Sequence, residues 1–109
     1  MRSQAISALD HAVRPDQKNG VIYFVLRSDG LIKIGTTTDL RRRMWKLRSE
    51  HRGSVNVLRT MPGSYSLEHD LHQKFLNDKV RLTDQSVRRS MEVFRPSSDL
   101  MDFIERIAE

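Results

Sequence analysis

The stretch Val21-Ile22-Tyr23-Phe24-Val25-Leu26, followed by Ser28-Asp29-Gly30 and Leu31-Ile32-Lys33-Ile34, constrains this chain more than any other feature. β-Branched and aromatic residues suit a pleated, half-buried surface, and Ser-Asp-Gly between two such runs is a turn signal, so the segment predicts a β-hairpin. Thr38 or Asp39 then stands where a helix N-cap belongs, because Leu40, Met44 and Leu47 follow at i, i+4 and i+7 as one apolar stripe. That helix should end near Gly53.

Val55, Val57 and Leu58 up to Met61 read as a third strand, closed by the turn-forming pair Pro62-Gly63. A second helix follows, capped by Ser64 or Ser66, buried through Leu67, Leu71 and Phe75, and stopping near Asn77. Residues 78–90 are polar and basic without periodicity and read as a loop, with a short strand over 91–94. A final helix starts at Pro96-Ser97-Ser98-Asp99 and carries Leu100, Phe103, Ile104 and Ile107 at helical spacing. The order implies an α+β domain in which a small, mostly antiparallel sheet is flanked by helices. Residues 1–19, mixed and polar around Pro15, read as an N-terminal arm with a short helix over 3–12, and 20–109 as the domain.

A chain of 109 residues has room for one domain. No apolar run reaches the roughly 20 residues that span a bilayer, and the N-terminus lacks a secretory h-region, so a cytoplasmic protein without membrane contact is expected. Zero cysteines exclude disulfides, thiol catalysis and Cys-ligated zinc, leaving carboxylates and imidazoles as metal ligands. Phosphate-loop, nucleophile-elbow and H-E-x-x-H patterns are absent, since Gly35-Thr36-Thr37-Thr38 has a single glycine. The charge is more informative. Arg41, Arg42, Arg43, Lys46, Arg48 and Arg52 against Glu50 give the segment 41–52 a net +5, equal to the whole chain's. Such local excess suggests nucleic acid, or an anionic membrane surface, or plain solubility.

At 100° per residue, Arg42 and Lys46 point to solvent, Arg43 borders the apolar stripe on one side, and Arg41 and Arg48 border it on the other. Periodicity does not choose between the two sides. Arg41, Trp45 and Arg48 share a flank suited to phosphates and a stacked base, or alternatively Trp45 packs under the Arg stems. On the second helix Glu68 lies at the edge of the apolar face, where a carboxylate can hold Mg²⁺ or simply favour the helix dipole. His72, at i+4, is close enough to pair with Glu68.

Taken together, VIYFVLRSDGLIKIGTTTDLRRR and SLEHDLHQKF resemble the GIY-YIG nuclease superfamily over roughly residues 20–95, and most closely its short phage and bacterial branch, often described only as DNA-binding. The resemblance implies a three-stranded antiparallel sheet with flanking helices. It also implies Tyr23 as general base, Arg43 on the scissile phosphate and Glu68 on a divalent metal, Mg²⁺ or Mn²⁺, and so selects Arg43 over Arg41 and Arg48. A phenol of pKa about 10 needs positive charge beside it to ionise, which Lys33 could supply. Lys33 stands in the place of the family's second tyrosine, Val21 in that of its first glycine, and no late asparagine is found; Glu92 and Phe94 match a terminal motif whose glycine and tryptophan are missing. The resulting expectation is a metal-dependent DNA endonuclease contacting DNA through Arg41, Arg42, Trp45, Lys46, Arg48, Arg52 and His72. The alternatives are a catalytically inactive or weak DNA-binding module and a protein-interaction domain.

Overall fold

The computed structural model describes residues 20–50, 53–80 and 93–107. The elements are β1 (Val21–Arg27), β2 (Ile32–Thr37), α1 (Leu40–Glu50), β3 (Val55–Pro62), α2 (Tyr65–Lys74), a 3-10 turn (Leu76–Asp78), β4 (Lys79–Val80), β5 (Val93–Phe94) and α3 (Ser98–Glu105). They form an α+β fold with one antiparallel sheet in the order β3-β1-β2-β5-β4. The hairpin is closed at its turn by Gly30 N–H donating to the Arg27 carbonyl at 3.0 Å.

The sequence predicted three strands and a short fourth over 91–94, and the resemblance a three-stranded sheet; the sheet has five, with β5 inside the short segment. β4 and β5 are two residues each, too short to display a period of two. Lys79 opposes Phe94 and Val80 opposes Val93, and β5 in turn opposes Ile32 and Lys33 of β2. Lys79–Val80 is therefore strand where a loop was expected. The arm 1–19 with its short helix, residues 51 and 52, and 81–92 lie outside the described residues.

Alternation along β1 and β2 sends side chains to two separate cores. Ile22, Phe24, Ile32 and Ile34 bury on one face against Leu71 and Phe75 of α2, Phe94, and Leu100 and Ile104 of α3. Tyr23 and Val25 bury on the other face with Met44 and Leu47 of α1 and Val55 of β3. A bulge keeps β3 in phase with both. The register against β1 shifts between Phe24 and Val25, so Val57 and Val55 oppose Val25 and Arg27 on the α1 face, while Met61 and Leu58 pack on the opposite one.

The starts of α1 and α3 are capped as their sequences suggest, whereas Ser64, expected as a cap of α2, holds the N-cap position without a side-chain capping bond. Asp39 accepts from Arg42 N–H at 3.1 Å, and the Thr37 hydroxyl accepts from Asp39 N–H at 3.1 Å, which anchors α1 to the end of β2. Ser97 accepts from Leu100 N–H at 3.1 Å and donates to the Asp78 carboxylate at 2.6 Å, tying α3 to the 3-10 turn.

Candidate functional site

Tyr23 opposes Gly35 across the β1–β2 pair, and its ring lies flat over that glycine: a Cβ at position 35 would fall inside the phenol. The side chain is buried at 2% exposure. Burial pushes its pKa up to about 12, the Arg43 guanidinium pulls it back down, and the Glu68 and Glu50 carboxylates add to the rise. The fold thus brings Arg43 from α1 and Glu68 from α2 close enough to act on one phenol from β1. Burial thus opposes the ionisation that a base at this position needs, while the Arg43 guanidinium favours it.

The positive charge that lowers the Tyr23 pKa is that of Arg43. Lys33, expected in that role, opposes Val25 and Val93, one pleat further along β2 on the same face of the sheet. Arg43 is half-buried, whereas Arg41, Arg42, Lys46 and Arg48 are exposed. Trp45 is 72% exposed and does not pack beneath its neighbours. Arg52 lies outside the described residues.

His72, expected at the DNA surface, is turned inward and buried. Its Nε2 donates to the Ile34 carbonyl at 3.0 Å, its ring packs edge-on against Phe94 with centroids 5.1 Å apart, and Glu68 Oε2 lies 3.6 Å from Nε2. The reason is the short β5, which pairs with β2 only through Ile32 and Lys33, so the Ile34 carbonyl needs a donor and α2 supplies one. This contact fixes Glu68, one turn earlier on α2, beside the sheet.

A cleft of about 190 Å³ opens between the starts of α1 and α2, lined by Gly20, Thr36, Thr37, Thr38, Arg43, Ser64 and Tyr65. Sequence reasoning took Ser64 only as a helix start and passed over Tyr65; that one is buried and the other 68% exposed becomes visible only when the two helix starts are brought together. Among the described residues, no group of three or more Asp, Glu or His side chains is placed to hold a metal ion, and no helix is long and apolar enough to cross a membrane.

The family model that matches the chain is that of the T5orf172 domain, over residues 20–108. This finding replaces the resemblance to the GIY-YIG nuclease superfamily, which rested on short motifs carrying Lys33 and Val21 at two of the positions that define it. No curated protein and no solved structure matches the chain.

Proposed function

Since the chain belongs to the T5orf172 domain family, we propose a function for this member from its own surface: it binds duplex DNA along the sugar–phosphate backbone, with α1 as the contact element. The observation that carries this reading is the outer face of α1. Trp45 stands in solvent among the exposed Arg41, Arg42, Lys46 and Arg48, while Met44 and Leu47, with Leu40 packed beside them, face the sheet. Cations at this spacing neutralise phosphates and release counterions, and an indole kept in water between them offers a stacking plate for a sugar or base. Four exposed cations on phosphates give a slope of about −3 to −4 for log affinity against log salt. Fluorescence anisotropy of a labelled duplex across a salt series tests this. Affinity indifferent to salt would remove the reading.

A second reading, cleavage of the bound backbone with Mg²⁺ or Mn²⁺, is favoured by the approach of Arg43 and Glu68 to the Tyr23 phenol. Mg²⁺ keeps most of its waters and needs only one or two carboxylates, so Glu68 suits it although no larger ligand cluster is present among the described residues. When bound, such an ion supplies positive charge for the leaving oxygen of a phosphodiester. Arg43, which lines the cleft, would hold the phosphoryl oxygens. Nicking of supercoiled plasmid, metal-dependent and lost in Glu68→Ala and Arg43→Ala, is the expected result. Intact plasmid in the presence of either metal would leave the binding reading alone.

A further inference from the structure

We propose that the cleft between the starts of α1 and α2 is a binding site for a single phosphate group, with Ser64 as its central donor. Four observations converge there.

The first is Ser64 itself. It occupies the N-cap position of α2 with extended backbone (φ −125°, ψ −171°), yet its hydroxyl makes no capping bond. The residue is 5% exposed and lines the cleft. The hydroxyl is not among the fully enclosed, unpartnered polar atoms of the described residues, so it keeps access to the cleft it lines and can give its proton to a group bound there.

The second is that capping is not what holds this turn. Gly63 N–H donates to the Gly20 carbonyl at 3.1 Å, and a Cβ on Gly63 would meet Leu67 Cδ2 at 2.7 Å and Ile22 Cγ1 at 2.9 Å. Close backbone packing therefore sets the path into α2, and the Ser64 side chain is left to face the cleft. Its carbonyl still takes the Glu68 N–H at 3.0 Å, so α2 begins normally and the N–H groups of its first turn have no helical acceptor.

The third is charge. Arg43 is the one ionised group lining the cleft, and no carboxylate lines it among the described residues. A guanidinium beside a helix N-terminus favours an anion, and the planar donor fork of arginine matches phosphate oxygens.

The fourth is the division of labour among the hydroxyls. Thr36 donates to the Val21 carbonyl at 3.1 Å and Thr37 is engaged with the backbone of Asp39, so these two build the wall. Ser64 and Thr38 carry no such bond. Tyr65, exposed at the rim, then presents its ring to the sugar or base next to the captured phosphate.

This inference deepens the DNA-binding reading but is tested apart from it. Backbone amides of Ser64, Tyr65 and Leu67 are followed by NMR while inorganic phosphate, and separately a short duplex, is titrated into the full chain. Saturable shifts of these amides are expected. Movement with duplex assigns the cleft to the nucleic-acid backbone, and movement with inorganic phosphate alone assigns it to free phosphate; either supports the site. Ser64→Ala should weaken binding several-fold. Ser64→Asp is the decisive variant, because aspartate is as good an N-cap as serine while its carboxylate repels the anion: the fold should hold and phosphate binding should fall tenfold or more. Undisturbed binding in Ser64→Asp, or amides that stay still while the duplex binds elsewhere, would overturn the site and leave the DNA-binding reading standing. Phosphate shifts in a chain that binds no duplex would do the reverse.

Discussion

The contact between Tyr23 and Gly35 can be measured as a coupling energy. In Gly35→Ala the added methyl group falls within the Tyr23 ring, and the ring cannot swing away, because Val25, Met44, Leu47 and Val55 fill the same layer. Overpacking of this kind costs about 1–3 kcal/mol. For a small domain whose total stability is of order 5–15 kcal/mol, about 2 kcal/mol lowers the melting temperature by about 10 °C. Tyr23→Val keeps strand propensity and removes the ring. In that background alanine at 35 has room, and the loss of unfolded-state freedom makes Gly35→Ala stabilising by about 0.4–1 kcal/mol. Urea unfolding of wild type, both single variants and the double variant should therefore yield a coupling of about 2–3 kcal/mol. Additivity within about 0.5 kcal/mol would show that the ring does not rest on Gly35, and the account of the phenol's burial would fall with it.

Ultraviolet titration, with Tyr23→Phe as the subtraction, should place the Tyr23 phenolate near pH 12. Because the folded value lies above the unfolded value of 10.0, Tyr23 contributes stability that is complete below pH 10 and disappears as pH rises to 12, about 3 kcal/mol in all; an alkaline limb in melting temperature that is identical in Tyr23→Phe would contradict it. Asp39→Ala should cost about 1 kcal/mol through the lost cap on Arg42 N–H, read by thermal melts, whereas Asp39→Ser should recover most of it. In His72→Phe the ring contact with Phe94 can persist but the Ile34 carbonyl loses its donor, so chemical denaturation should report a loss of about 1–3 kcal/mol; a neutral outcome would mean that water replaces Nε2. Trp45→Ala should leave stability unchanged and weaken duplex binding, since the indole makes its contacts outside the core; equal binding by the variant would take the indole out of the interface.

Most of the architecture could be read from periodicity. The hairpin, α1 with its Asp39 cap, β3, α2 and α3 all have apolar residues at the spacing of the element they form, and Met44, Leu47, Leu71, Leu100 and Ile104 are buried where the stripes put them. Two features were not legible. β4 exists only by pairing with β5, and two residues contain no pattern, whereas β5 falls inside the short strand read over 91–94. The bulge in β3 breaks the alternation Val55, Val57, Leu58, Met61 midway, so the sequence shows a strand without a consistent inner face. At the site, helical geometry left Arg43 and Arg41 with Arg48 as equivalent flanks, and only the position of β1 beneath α1 distinguishes them. The approach of His72 to Glu68 could be read from the i+4 spacing, but not its burial, which comes with the Ile34 carbonyl that its ring nitrogen meets. The burial of Tyr23 was invisible for a related reason: strand alternation says which face a residue takes, not how deeply a helix covers it.

The two cores are unequal. Among the described residues, nine buried ones join the sheet to α2 and α3, and five join it to α1. Opening free energies scale with apolar contact, so α1 is the layer that detaches first while the remainder stays intact. The element we propose to contact DNA is thus also the most weakly moored, and it could tilt or slide along a groove for a fraction of the energy that unfolding the whole domain requires. Amide exchange along α1 should be faster than along β1 and α3, and should slow when a duplex clamps the helix down.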